Sequence, residues 1–111
     1  MSGRLSERTY LVLLALSERP LHGYGVVTAV QVLSDDAVRL GPGTLYALLD
    51  RMSAAGLIAP DKEEVVAGRL RRYYRITDDG AAAVAAETAR LAALAARARA
   101  VLRAVPSAGT A

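Results

Sequence analysis

Cysteine, tryptophan and phenylalanine are absent from the 111 residues, and histidine occurs once. Without cysteine there are no disulfides, iron–sulfur clusters or thiolate metal sites. His22 has no Cys, Asp or Glu at ligand spacing, so no metal site is expected. A nucleophile, a base and an orienting acid cannot be assembled around it either. No catalytic residue and no cofactor is therefore expected. The stretch MSGRLSERTY lacks the apolar centre of an export signal. The longest apolar run, Tyr10 to Leu16, is far too short to span a bilayer. A cytoplasmic protein without a membrane partner is the expectation.

Lysine is nearly absent too. Of 14 basic residues only Lys62 is lysine, and the net charge is a modest +3. An alanine- and arginine-rich composition also follows from a GC-rich genome, so position says more than number. Arg69, Arg71, Arg72 and Arg75 cluster in GRLRRYYRIT, residues 68–77, while the acids sit mostly elsewhere. Hydrophobic residues make up 53% of the chain, which excludes a disordered composition, and the length fits one domain. Much of that fraction is alanine, so the core of Leu, Val, Ile and Met is expected to be modest. A small core beside a long apolar helix points to an oligomer.

Along the chain, Ser6 is placed to cap a first helix, with Leu5 and Tyr10 as a hydrophobic staple. Leu21-His22-Gly23-Tyr24-Gly25 opens a second helix, which His22 caps or braces and which ends at Ser34-Asp35-Asp36. Pro42 suits the first turn of a third helix, and Gly56 reads as its left-handed stop. Leu57 and Ile58 start an extended segment, interrupted by Asp61-Lys62-Glu63-Glu64 and resumed at Val65. Ala67-Gly68 is a hairpin tip. Leu70, Arg72, Tyr74 and Ile76 fall on one face of the returning strand and Arg69, Arg71, Tyr73 and Arg75 on the other. Thr77 caps a long alanine-rich helix to about Val105. The fold class is mainly α with a small β-hairpin: a winged helix-turn-helix plus a long C-terminal dimerisation helix. The expected division is 1–77 for the winged helix, 78–105 for the long helix and 106–111 for a flexible tail.

In the third helix, Leu45, Leu48, Leu49 and Met52 cover one arc. The opposite arc carries small residues flanked by Thr44, Tyr46 and Arg51, which suit a groove, phosphates or base edges. Periodicity alone fits a plain surface helix equally well, and the charge of Asp50 opposes phosphate unless an arginine pairs with it. The arginine-rich hairpin fits a phosphate-facing wing or a charged edge that blocks aggregation. In the last helix Val84, Leu91, Ala98 and Val105 recur at seven, with Leu94 and Val101 between them and Glu87 interrupting. About 28 residues at 1.5 Å each exceed what covering such a core needs, which favours self-association.

These elements together resemble the PadR family of bacterial transcriptional regulators. The resemblance rests on Leu21-His22-Gly23-Tyr24, on Gly43-Thr44-Leu45-Tyr46 with Leu49, on Gly56-Leu57-Ile58, and on Arg72-Tyr73-Tyr74-Arg75-Ile76-Thr77 with Gly80. It implies a winged-helix domain that binds double-stranded DNA, a homodimer formed through the last helix, and repression relieved in many members by a small-molecule effector. The expected DNA-facing residues are Tyr24, Pro42, Gly43, Thr44, Tyr46, Ala47 and Arg51, with Arg69, Arg71 and Arg72 on the wing. The expected dimer interface is Tyr10, Leu14, Val84, Leu91, Leu94, Ala98, Val101 and Leu102. Gly25 departs from the family, which usually has Glu there. The lack of Trp argues against the flat aromatic ligands that some members hold in a dimer pore. The rival reading is a winged-helix module that binds protein and not specific DNA.

Overall fold

The computed structural model describes residues 4–106. The chain runs α1 (Glu7–Glu18), β1 (Leu21–His22), α2 (Gly23–Leu33), α3 (Pro42–Ala54), β2 (Ile58–Val66), β3 (Arg69–Ile76) and α4 (Asp78–Ala104). The strands form one antiparallel sheet in the order β1-β3-β2. Beyond Pro106 the expected tail lies outside the described residues.

Local chemistry explains most boundaries. The Ser6 hydroxyl accepts from the Thr9 amide and starts α1. Pro42 occupies the first turn of α3. That helix ends at Gly56, φ +78°, with the Gly56 amide donating to the Ser53 carbonyl and the Leu57 amide to that of Met52. Both bonds satisfy carbonyls that a helix end leaves open. Ala67 and Gly68 both have positive φ, as a two-residue hairpin turn requires.

Three expectations are corrected. Leu21 and His22 do not open α2; they form β1, pairing with Tyr74 and Tyr73. After Pro20 the chain is extended and meets the outer edge of β3, so α2 begins only at Gly23. The acidic stretch does not break the strand either. β2 is continuous, and Asp61 and Lys62 together oppose Tyr73 in a bulge between Pro60 and Glu63. His22 gives α2 no side-chain cap.

The core lies between α1, α2, α3 and the sheet base. Val12, Leu13, Leu16, Val26, Val30, Leu49 and Ile58 are its most enclosed side chains. Tyr74 and Ile76 pack against it from β3 and root the hairpin. The first turns of α4 join through Gly80 and Val84. Here the Thr77 amide and hydroxyl donate to the carbonyls of Leu57 and Gly56 at 3.1 and 2.6 Å, and the Thr77 hydroxyl accepts from the Gly80 amide at 3.0 Å. Gly80 sits so close to the Leu57 carbonyl oxygen that a Cβ would overlap it.

Gly80→Ala must therefore push α4 off the sheet. The expected cost is about 3 kcal/mol, the upper part of the overpacking range, because the obstacle is backbone. That corresponds to a fall in Tm of roughly 10 °C or more for a domain of this size. Gly43→Ala is the control, since open space surrounds Gly43; its melting curve should not shift downward.

Candidate nucleic-acid interface

The outward face of α3 carries Pro42, Gly43, Thr44, Tyr46, Ala47 and Arg51, all exposed. They stay outside because Leu45, Leu48, Leu49 and Met52 hold the opposite face in the core. Its N-cap is Gly41, which offers no side-chain cap. The first amides of α3 therefore point to solvent without intrahelical acceptors, as a helix N-terminus presents them to an anion.

Clefts flank α3 on both sides. The wing-side cleft, about 770 Å³, is lined by Tyr24, Tyr46, Asp50, Tyr74 and the wing residues Arg69, Arg71 and Arg72. The sheet thus brings three of the expected arginines against the helix that bears Tyr46. The second cleft, about 780 Å³, gathers Arg8, Arg39 and Arg51 beside Thr44, with Glu7 and Asp36 on its rim. Arg8 and Arg39 are not among the residues expected from the sequence. They lie far from each other and from Arg51 along the chain, so no local signal marks them; only the packing of α1 beside the α2–α3 turn assembles the cluster.

Acids position two of these cations. Arg39 donates twice to Asp36, at 3.1 and 2.7 Å, and Gln31 donates to the same carboxylate at 2.7 Å. These bonds hold Asp36 below the usual carboxylate range. They also steady a turn in which Asp35 and Asp36 both take positive φ, a conformation Asp tolerates better than most residues. On the wing, Arg72 pairs with Glu63 across the strands at 3.1 Å, both side chains well exposed. Such a pair is worth about 1 kcal/mol or less, so a phosphate can displace Glu63. Among the described residues no ion pair joins Asp50 to an arginine. Asp50 acts on Tyr74, whose phenol is raised chiefly by burial and further by Asp50 and Tyr46.

The face of β3 that carries Arg71 also bears a small polar cluster around Tyr73. The Tyr73 hydroxyl donates to Glu64 at 2.5 Å and lowers that carboxyl. Lys62 lies 4.7 Å from the Tyr73 ring centre. The His22 ring meets the Tyr73 ring edge-on at 5.3 Å, and its Nδ1 is buried with no hydrogen-bond partner among the described residues. His22 thus braces the wing against α2.

The expected dimer residues divide. Tyr10 and Leu14 pack within the chain, and the Tyr10 hydroxyl bonds to Thr88 Oγ1 at 2.6 Å. Val84 is only 7% exposed, inside the chain's own core. Leu91, Leu94, Ala98, Val101 and Leu102 continue the same helical stripe beyond the core and are exposed, Leu102 at 70%. Glu87 marks the changeover. It is 8% exposed and takes two bonds from Arg90, at 3.0 and 2.7 Å, which hold its carboxyl low.

Residues 12–86 match the family model of the Transcriptional regulator PadR-like family. Transcriptional regulator Rv3488 of Mycobacterium tuberculosis is 48% identical over 54 residues, 49% of this chain and 50% of its own. The match spans half or less of the length of the curated relatives, 50% there and 19% in a transposon protein of Streptomyces fradiae. Among solved structures, a PadR family transcriptional regulator from Eggerthella lenta is 30% identical with a TM-score of 0.67, covering 88% of this chain and 86% of that one. A PadR family regulator from Clostridium difficile shares the fold at 22% identity, with a TM-score of 0.73 over 87% of this chain and 99% of that one.

The His22 cluster makes stability depend on pH. Burial, then the charge of Arg71, holds His22 below its ordinary value, with Glu64 opposing. The unfolded chain then binds the additional proton, so this contribution is complete above about pH 6.5 and is lost as pH falls below it. Asp36, Glu64 and Glu87 are also depressed, and theirs fades only on further acidification, below about pH 4.5. His22→Phe keeps the ring on Tyr73 and removes the orphan nitrogen. Thermal melts should show it gaining about a few degrees over wild type at pH 5.5 and less at pH 8.

Proposed function

Because the chain belongs to the PadR-like family of transcriptional regulators, we propose that it binds DNA sequence-specifically as a homodimer and acts as a repressor on a pseudo-palindromic operator. The observation that carries this reading is the exposed face of α3 standing between two arginine-lined clefts. A major groove about 12 Å wide admits one helix, and a helix seated there has a phosphate backbone on either side. Arg69, Arg71 and Arg72 meet one backbone from the wing. Arg8, Arg39 and Arg51 meet the other. Thr44 and Tyr46 reach the base edges, and Gly43 and Ala47 let α3 approach closely. Tyr24, at the start of α2, flanks the same groove.

The dimer follows from α4. Its 27 residues make a rod about 40 Å long. Its first turns pack on the core and the rest projects with Leu91, Leu94, Ala98, Val101 and Leu102 on one side. A second copy of α4 buries that stripe. Two-fold symmetry then places the two α3 helices for half-sites about one helical turn apart.

Two experiments test this reading. Arg69→Ala with Arg72→Ala should weaken binding to operator and to random DNA alike, because phosphate contacts carry no sequence information. The slope of log affinity against log salt should flatten by roughly one for each phosphate left without its arginine. Unchanged DNA binding would favour the protein-binding module. Leu94→Lys should give a folded monomer by sedimentation, since Leu94 is outside the core of the single chain. An intact dimer would refute the seam.

A further inference from the structure

We propose that Gly23 is a specificity-positioning residue: the space left by its missing side chain fixes the direction in which Tyr46 leaves α3. Gly23 is buried in the first turn of α2. A Cβ there would lie 2.9 Å from the Tyr46 hydroxyl oxygen, 3.3 Å from Leu45 Cδ2 and 3.4 Å from Tyr46 Cζ. The tip of the Tyr46 ring therefore rests on the α2 backbone where any other residue would carry an atom. The backbone gives no competing reason for glycine. Gly56 and Gly68 have positive φ, but Gly23 does not. Alanine fits that conformation and is the better helix former by up to about 1 kcal/mol.

What yields when a methyl is added decides the consequence. The Gly23 backbone is pinned, because the preceding residue, His22, is paired with Tyr73 in the sheet. Tyr46 is 53% exposed and can rotate. The added methyl thus turns Tyr46 and leaves the fold standing, with Leu45 giving by a few tenths of an ångström. Without the Tyr46 hydroxyl the nearest remaining ring atom is at 3.4 Å, an ordinary contact, and the conflict with Tyr46 disappears. Gly25, two residues on, is the contrast. A Cβ there meets only ordinary contacts, at 3.4 Å or beyond, and its nearest neighbours are Leu21 and His22.

This inference rests on the proposed DNA-binding role of Tyr46, and the test separates the two. Wild type, Gly23→Ala, Tyr46→Phe, the double variant and Gly25→Ala are compared in three measurements. These are thermal melting, the ratio of affinities for a DNA selected from a random pool and for bulk DNA, and the NMR signals of the Tyr46 ring without DNA. Gly23→Ala is expected to shift the ring signals and cut the affinity ratio roughly tenfold, the scale of one base contact, while bulk affinity holds. The double variant should match Tyr46→Phe, and Gly25→Ala should match wild type. Equal losses from Gly23→Ala with and without the Tyr46 hydroxyl, or unshifted ring signals, would overturn the proposal. A wild type that does not discriminate between DNAs would overturn the sequence-specific reading of Tyr46 and the specificity role with it; the ring signals would then decide alone whether Gly23 seats Tyr46.

Discussion

The contact between the Leu57 carbonyl and Gly80 fixes how the three working parts of this protein are oriented. Leu57 directly follows the glycine that ends α3, and β2 starts at the next residue. Its carbonyl accepts from Thr77, the residue that follows β3 and caps α4, and it lies against the first turn of α4 at Gly80. The candidate reading helix, the wing and the long helix thus leave one backbone junction. Small changes of angle there are multiplied along α4, a rod of about 40 Å. In the proposed dimer, the separation of the two α3 helices is set at this junction.

The charge pattern likewise works through placement. A net charge of +3 is small for a DNA-binding surface. In the proposed DNA-binding role the arginines compensate by position, gathered in the two clefts beside α3. Asp36 and Glu63 hold Arg39 and Arg72 in place through exposed pairs that are weak enough to exchange for phosphate. Repulsion among clustered arginines is reduced in the absence of DNA, and the cations remain near where a backbone would run.

Features set by neighbouring residues were legible in the sequence. Ser6, Pro42, Gly56 and Thr77 each act within a turn of their own position, and all four end or start helices as their chemistry dictates. The roots of the wing, Tyr74 and Ile76, were legible from alternation. Features set by tertiary partners were not. β1 is two residues long and exists only because β3 offers an edge. Arg8 and Arg39 join Arg51 through packing across three segments. Val84 and Leu91 share one heptad position, yet the first is core and the second exposed, because the core ends between them. The dependence of Tyr46 on Gly23 is a contact between helices that no spacing encodes.

The central claim is that two copies of α3, linked through α4, read one DNA site. Hydroxyl-radical footprinting on the DNA flanking the protein's own gene tests it most directly. Two protected stretches related by pseudo-two-fold symmetry are predicted, with centres about one helical turn apart. A single unpaired stretch, or protection spread evenly over any DNA, would contradict it.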